Sequence, residues 1–165
     1  MKTSAEHIES KIMTLDECVQ KRCQWKSWGE KVVFTNGVFD ILHAGHVRSL
    51  LQAASFGNRL IIGLNADSSV KRLKGDFRPV ISENDRALLL ASLSCVDAVV
   101  LFDENTPITL IQNLLPDVLV KSADYTPETI VGAKEVAENG GEIKITPIVA
   151  GLSTSNIIEK IKNAY

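Results

Sequence analysis

The chain has 165 residues, of which 45% are hydrophobic and 23% are charged, and its formal net charge is −2. This length and balance are typical of one globular domain that buries its own core. The charge excludes a broad basic surface for a nucleic-acid backbone, so we expect no nucleic-acid partner. The three cysteines form no C-x-x-C pair, which favours reduced thiols over disulfides or a thiolate zinc site.

The amino-terminal segment lacks the apolar run of a signal peptide. No stretch approaches the roughly 18 apolar residues that a membrane span requires. We therefore expect a cytoplasmic protein with no membrane partner.

The first predicted element is a helix over residues 15–28, with Leu15, Val19 and Trp25 on one side, where core packing is the expected role. Apolar runs rich in β-branched residues follow, and they predict parallel strands that are covered on both faces. These strands are expected at residues 31–35, 59–64, 96–102, 117–120 and 142–149.

Helical patterns lie between these strands. Residues 47–54 carry apolar side chains at helical spacing, and Ser82 predicts a capped helix over residues 84–93. Thr106 and Thr126 each precede a proline, which predicts two more helices with that proline in the first turn. The second of these is expected to begin at residue 127 and to end at the glycine pair 140–141.

The alternation of strand and helix predicts an α/β fold with a doubly wound parallel sheet, a single domain with an N-terminal helix. Residues 1–30 form the helical extension and residues 31–165 the domain. Ligands of such sheets bind beyond the carboxyl ends of the strands, where strand order reverses. Chemistry is therefore expected in the segments after the strands, at residues 36–46, 65–78, 121–125 and 150–155.

The junction between the first strand and its helix carries two of the chain's three histidines, His43 and His46, with Gly45 between them and Asn36-Gly37 before them. A helix start offers free N–H groups and a favourable dipole to an anion, and the two rings can donate to one polyphosphate. The alternatives are a surface cap and a zinc site. Because no third ligand stands at a useful spacing, we predict no metal site.

Two further stretches favour phosphate. Ser153, Thr154 and Ser155 follow the last strand, with Ser153 as a natural N-cap. Residues 70–80 concentrate four cations, including Lys74 and Arg78, around a glycine. Each has an ordinary alternative, since hydroxyls often only cap a helix and a charge run is usually a solvated surface.

The string Gly37-x-Phe39-Asp40-x-x-His43-x-Gly45-His46 resembles the first signature of the H-x-G-H nucleotidyltransferase superfamily, and residues 153–155 resemble the second. With residues 65–70, 70–80, 102–107 and 116–121, the chain closely resembles the D-glycero-β-D-manno-heptose 1-phosphate adenylyltransferase family over residues 31–162.

This resemblance implies a Rossmann-like nucleotidyltransferase fold and an enzyme that transfers AMP from ATP, carried with Mg²⁺, to heptose 1-phosphate. The products would be ADP-heptose and pyrophosphate, for lipopolysaccharide core or another heptose glycan. The chain resembles the free-standing form rather than the form fused to a sugar kinase, and the family implies a homo-oligomer, a dimer or larger.

The resemblance also implies roles for single residues. The catalytic set is His43, His46 and Lys74. The nucleotide-binding set is Asn36, Gly37, Phe39, Gly45, Asp124, Ser153, Thr154 and Ser155. The sugar-phosphate set is Asn65, Lys74 and Arg78, and Asp40 would be a structural carboxylate that holds the loop.

The chain departs from the family at Ser122 and Ala123, where two glycines are usual, so strain is expected if those positions need positive φ. Two other functions stay open. One is a cytidylyltransferase acting on glycerol 3-phosphate or a related alcohol phosphate, and the other is a non-catalytic nucleotide-binding module.

Overall fold

The computed structural model describes residues 3–123, 129–147 and 152–164. Within these ranges the helices and strands alternate along most of the chain. In order they are α1 Ser4–Glu9, α2 Leu15–Ser27, β1 Val32–Gly37, α3 Ala44–Ala54, β2 Arg59–Asn65, α4 Asp67–Lys74, α5 Glu83–Ala91, β3 Ala98–Phe102, α6 Ile108–Leu114, β4 Val118–Ser122, α7 Ala133–Glu138, β5 Glu142–Thr146 and α8 Thr154–Lys162.

The strands form one parallel sheet in the order β3-β2-β1-β4-β5. The chain moves outward from β1 to β3 and then crosses back to β4, so strand order reverses between β1 and β4. The structure therefore confirms the predicted doubly wound α/β fold. The reversal places a ligand crevice at the carboxyl ends of β1 and β4.

Buried side chains form a core on each face of the sheet. Cys18 and Trp25 of α2 join strand residues such as Phe34 on one face, while Leu50 of α3 and Leu90 of α5 join the other. Burial on both faces is the reason that the strands read as continuous apolar runs. The predicted core role of the second helix is confirmed, with Leu15 and Val19 packed against the same cluster.

All five predicted strands are present, with shifted ends. Strand β1 continues to Gly37 and β2 to Asn65. The backbone hydrogen bonds between the two strands extend the pairing beyond the apolar runs into these polar and glycine residues. Strand β5 ends at Thr146, and residues 148 and 149 of the predicted strand lie outside the described ranges.

Two helix starts differ from the prediction. Pro107 is the N-cap of α6 rather than its first residue, and it provides no side-chain cap. Helix α7 begins at Ala133 instead of residue 127, because Gly132 adopts φ +84 and interrupts a helix there. Thr126 and Pro127 lie outside the described residues. Gly140, with φ +80, follows the helix as predicted.

The helices before β1 are two rather than one. Thr3 caps α1 and Thr14 caps α2, each through a reciprocal capping box with a glutamate three residues later. Among the described residues, none of the helices combines the length and apolarity that crossing a bilayer would require.

Candidate active site

The crevice opens where β1 and β4 end side by side. Asn36 stands near the end of β1, and the Lys121 ammonium donates a hydrogen bond to its side-chain oxygen. This bond spans the reversal in strand order. Lys121 is buried, with 7% of its surface exposed, so a cation is fixed at the position where such sheets bind ligands.

The loop after β1 is strained around a buried carboxylate. Phe39 and Ile41 have φ values of +49 and +47, a region that a β-branched isoleucine rarely occupies. Asp40, between them, is 1% exposed and accepts hydrogen bonds from Arg78 Nε at 2.7 Å and from the Val80 and Ile81 N–H groups, each at 3.0 Å. These bonds offset the strain and set the path of the loop.

The same contacts keep Asp40 ionised. Burial alone would raise the pKa of this carboxyl, but the hydrogen bonds from Val80 and Ile81 and the Arg78 guanidinium outweigh it, so the pKa is lowered. A permanent anion thus ties the loop after β1 to the segment before α5. This geometry agrees with the structural role expected for Asp40.

The two histidines are stacked at the start of α3. Their ring centroids are 3.8 Å apart with an interplanar angle of 22°. His43 is the N-cap, and its Nδ1 accepts a hydrogen bond from the Gly45 N–H at 3.1 Å. Because Nδ1 is an acceptor, the neutral ring carries its proton on Nε2, which can then donate to a ligand.

His46 is held neutral. Burial lowers its pKa to about 4, with a smaller lowering from the charge of His43 and an opposing effect from Asp40. Burial lowers the pKa of His43 as well. The His46 Nδ1 is buried with no hydrogen-bond partner among the described residues. The Phe39 ring packs against the edge of His46 with 5.4 Å between centroids.

Gly45 is required by its neighbours. A Cβ at this position would lie 2.9 Å from His43 Cε1, which would force the ring to shift, and 3.1 Å from Leu152 Cβ, which is a tight contact. The close approach predicted at Gly45 is thus made by the His43 ring and by the residue that leads into α8.

The second signature meets the first at this point. Ser153 caps α8, and its hydroxyl accepts the Asn156 N–H at 3.1 Å. The Thr154 hydroxyl donates to the Asp40 carbonyl, so the start of α8 is joined to the strained loop. Ser155 is exposed in the first turn of α8. Two stretches separated by more than one hundred residues of sequence therefore share one edge of the sheet.

Two adjoining clefts open beside these groups. The smaller, about 210 Å³, is lined by residues that include Phe39, His46, Ser49 and Thr146. The larger, about 410 Å³, is lined by residues that include Asn65, Lys74, Asn105 and Thr106. Both clefts share the wall that consists of Asn36, Gly37, Val38, Lys121 and Ser122.

The predicted residues distribute unevenly over this geometry. Asn36, Gly37, Phe39 and His46 line the smaller cleft, and Asn65 and Lys74 the larger. Arg78 is directed at Asp40 and is absent from the lining of either cleft among the described residues. Asp124 lies outside the described ranges. Among the described residues, no three His, Cys, Asp or Glu side chains cluster as metal ligands.

Arg86 supports the site but was not predicted from the sequence. Its guanidinium is buried and donates to the Ile81 carbonyl at 3.0 Å, the Val38 carbonyl at 2.6 Å and the Asp67 carboxylate at 2.7 Å. It therefore joins the loop after β1, the segment before α5 and the start of α4. The sequence did contain an indication that this arginine is buried, because position 86 falls on the apolar face of the predicted helix together with Ala87 and Leu90.

Lys121 is a second site residue to which the sequence motifs gave no role. It follows the last residue of the predicted fourth strand, where polar side chains reach the ligand edge. The expected strain beside it is absent, since neither Ser122 nor Ala123 belongs to the described non-glycine residues with positive φ. Ser122 instead completes β4 by pairing with Thr146. Ser122 is thus accommodated by ordinary strand geometry, and Ala123 follows the strand in a turn that does not require positive φ.

A larger cavity of about 700 Å³ lies at the opposite edge of the sheet, between the N-terminal helices and the amino ends of β2 and β3. Its arginine, Arg59, is bound by Glu30 and Asp97 and lies 5.6 Å from the centroid of the Trp25 ring. The cavity is remote from the histidine pair, so size alone does not locate the site.

The reversed strand order and the histidine pair at its crevice define a Rossmann-like α/β protein of the nucleotidyltransferase type. Residues 34–160 match the cytidylyltransferase-like family model. The chain belongs to the cytidylyltransferase-like family.

The chain is 52% identical over 157 residues to "Bifunctional protein HldE" of Geobacter metallireducens, covering 95% of this chain and 32% of the relative. It is 50% identical over 161 residues to the protein of the same name from Citrifermentans bemidjiense, covering 98% and 33%. The chain therefore spans about a third of the length of these curated relatives.

Solved structures show the same fold. A lipopolysaccharide core biosynthesis protein from Thermoplasma volcanium has a TM-score of 0.58 and 29% identity, with 73% of this chain and 98% of that chain covered. A pantoate-beta-alanine ligase from Francisella tularensis, at 15% identity, has a TM-score of 0.60 over 92% of this chain and 76% of that chain. The ligase shows the fold alone, whereas the HldE relatives and the lipopolysaccharide core biosynthesis protein confirm the family resemblance that the sequence motifs predicted.

Proposed function

We propose that this chain transfers AMP from ATP to D-glycero-β-D-manno-heptose 1-phosphate, giving ADP-heptose and pyrophosphate for lipopolysaccharide core or another heptose glycan. The observation that carries the proposal is the joining of the two signatures at one crevice, through the bond from Thr154 to the Asp40 carbonyl. The HldE relatives and the lipopolysaccharide core biosynthesis protein favour the heptose substrate over other acceptors.

The reaction needs no catalytic base. An oxygen of the acceptor phosphate, already deprotonated at neutral pH, attacks the α-phosphorus and forms the new P–O bond. The bond from the α-phosphorus to the bridging oxygen breaks, and pyrophosphate leaves with the electron pair. Total negative charge is conserved, so the protein's task is to position two anions and to stabilise the charge on the transferred and leaving groups.

Neutral histidines suit this task. With a pKa of about 4, His46 is uncharged at neutral pH and donates through one ring nitrogen. His43 has its tautomer set by the Gly45 N–H, so its Nε2–H is available. We assign both to hydrogen bonding of the α-phosphate and the departing pyrophosphate, where loss of one donor typically lowers kcat about a hundredfold or more.

The smaller cleft is the proposed nucleotide site. Phe39, Asn36 and Gly37 line it beside His46. The free N–H groups at the start of α8, with Ser153 to Ser155, would receive the β- and γ-phosphates. Asp124, outside the described residues, keeps its proposed nucleotide role on the resemblance alone.

The larger cleft is the proposed sugar-phosphate site. Lys74 supplies charge and Asn65, whose amide donates to the Ser69 hydroxyl at 3.1 Å, is held in place to bind sugar hydroxyls. The proposed role of Arg78 changes. Its Nε–Asp40 bond supports a positioning role for the strained loop rather than direct contact with the acceptor phosphate.

Mg²⁺ would enter with ATP. Because the described residues gather no set of three acidic, histidine or cysteine ligands, the ion would be held chiefly by phosphate oxygens and water, as is common for Mg²⁺. It would neutralise triphosphate charge. We also propose that the protein is cytoplasmic and forms a homo-oligomer, as the family resemblance implies. Light scattering on purified protein would check the oligomeric state.

The family description, cytidylyltransferase-like, favours one alternative, which is transfer from CTP. The acceptor to test with CTP is glycerol 3-phosphate, an alcohol phosphate. A test is pyrophosphate release by purified protein with Mg²⁺, crossing ATP and CTP against heptose 1-phosphate and glycerol 3-phosphate, with His46→Ala as the inactive control. Release only from ATP with heptose 1-phosphate supports the proposal. Pyrophosphate release from CTP would show that the protein is a cytidylyltransferase instead. ATP binding without pyrophosphate release from any pair would favour a non-catalytic nucleotide-binding module.

A further inference from the structure

We infer that Lys121 is a further catalytic residue, whose ammonium contacts both the α-phosphate of the nucleotide and the phosphate of the acceptor where the two meet. The inference rests on the proposed function. It adds a residue to which neither the sequence motifs nor the comparisons give a role.

Position is the first argument. Lys121 lies in the wall that the two clefts share, at the carboxyl end of β4 and directly beside β1. If the nucleotide occupies one cleft and the sugar phosphate the other, their reacting groups meet at this wall. Among the described residues, Lys121 is the one lysine or arginine that lines both clefts, whereas Lys74 lines the larger cleft alone.

The second argument is that the Lys121 side chain and backbone are both held in place. The Lys121 side chain donates to the Asn36 side-chain oxygen, and its backbone carbonyl accepts the Thr146 hydroxyl at 3.3 Å. The Lys121 backbone is held by pairing with Ile145 of β5. A buried ammonium on such a support undergoes little reorganisation during the reaction, which is the condition under which a charge stabilises a transition state most. By contrast, Lys74 is an exposed residue at the end of a helix.

Electrostatics is the third argument. The reaction brings a phosphate monoester dianion against a polyphosphate, and like charges at contact distance repel more strongly in a partly buried site than in water. Burial lowers the pKa of both His43 and His46 and disfavours their charged forms, so the histidines are poorly suited to offset this repulsion. A cation fixed at the junction of the two clefts is better suited to offset the repulsion. Lys121 would thus reduce the repulsion that opposes simultaneous binding and attack.

The test is Lys121→Gln, which removes the charge but keeps an N–H donor for Asn36, with Lys121→Met as a second variant if the first does not fold by circular dichroism. Lys144→Met is the matched control, since Lys144 lies on the neighbouring strand, pairs with Glu142 at 2.8 Å and lines neither cleft. Two quantities are measured on each protein. These are kcat for AMP transfer and the affinity for heptose 1-phosphate, by calorimetry, with and without saturating α,β-methylene-ATP.

We expect Lys121→Gln to lower kcat about a hundredfold. We also expect the nucleotide analogue to weaken sugar-phosphate binding about tenfold more in this variant than in the wild type, because the two anions then repel without a cation between them. Lys144→Met should behave as the wild type does.

Two results would overturn the inference while leaving the proposed function intact. One is a Lys121→Gln enzyme that turns over like Lys144→Met. The other is a lowered kcat with unchanged coupling between the two ligands, which would make Lys121 a positioning residue for Asn36. A wild-type protein that is inactive with heptose 1-phosphate would instead contradict the proposed function.

Discussion

The histidine pair shows how a single protonation state depends on packing. Burial, with a smaller effect from the charge of His43, leaves His46 with a pKa of about 4, whereas an unfolded histidine has its ordinary value of 6.5. Between these values the unfolded chain binds the extra proton and the folded protein does not. Folding is therefore opposed by acid in this window, and the stabilising effect of a neutral His46 is complete above pH 6.5.

This gives a prediction for pH and stability. As pH falls from 6.5 towards 4, the melting temperature of the wild type should fall more steeply than that of His46→Gln, which has nothing to protonate there. Calorimetric melting at several pH values measures the difference between the two proteins. His43 and Asp40 titrate in both proteins, so their contribution largely cancels. Parallel curves would show that burial of His46 does not control its protonation.

A second prediction concerns the close packing around Gly45. Alanine in place of a helical glycine ordinarily stabilises by about 0.5–1 kcal/mol. Here the added Cβ would lie 2.9 Å from the His43 ring, so we expect Gly45→Ala to destabilise by about 1–3 kcal/mol and to displace the imidazole. Activity should fall with it.

A double-mutant cycle checks the cause. In a His43→Ala background the ring is gone and the contact with Leu152 remains, so the destabilisation caused by Gly45→Ala should shrink but not vanish. Denaturant unfolding of the four proteins supplies the numbers. An unchanged cost would assign the whole effect to Leu152 and α8.

At the scale of elements, the site is an assembly of loop ends that a few buried polar groups hold together. Asp40 fixes the segment before α5, and Thr154 fixes the start of α8. Arg86, projecting from α5, reaches three segments at once. The strained loop after β1 keeps its shape because these elements over-determine it.

Arg86→Met should therefore cost more than its single ion pair suggests. The variant leaves two carbonyls and the Asp67 carboxylate without a partner, and we expect a loss of about 3–5 kcal/mol in the free energy of unfolding. The control is Arg72→Met, which breaks an exposed pair with Asp103 and should cost less than about 1 kcal/mol. Equal losses in urea unfolding of the two variants would contradict the linking role of Arg86.

At the scale of the whole molecule, one edge of the sheet carries the proposed chemistry and the other serves structure. The amino-terminal edge is closed by paired charges, such as Arg59 with Glu30 and Asp97, and Arg22 with Asp117. The carboxyl edge gathers the clefts and the neutral histidines. A ligand bound there bridges β1, β4 and the start of α8, so binding should stabilise the entire fold.

The expected result is a melting temperature that rises with nucleotide. ATP with Mg²⁺ at one hundred times its Kd should add about 2.7 kcal/mol of stability, a shift of roughly 5–10 °C for a chain of this size. CTP should shift it less if the adenylyltransferase proposal is correct. The comparison uses differential scanning fluorimetry at one protein concentration, and equal shifts with both nucleotides would remove the argument for ATP preference.

The sequence by itself determined much of this protein. Buried strands are apolar on both faces and short helices carry caps such as Ser82 and Ser153, so local pattern was enough to predict five strands and the doubly wound sheet. The residues of the first signature were found in sequence because His43, Gly45 and His46 are close along the chain.

Only the tertiary structure decided which distant groups meet. The partners of Asp40 are Arg78, Val80, Ile81 and Thr154, and no local periodicity encodes such contacts. The start of α7 moved to Ala133, because Gly132 takes a positive φ against the side chain of Ile111. The roles of Lys121 and Arg86 were also decided by the tertiary structure. The role of a buried charged residue depends on the partners that surround it, and those partners come together only when the sheet is assembled.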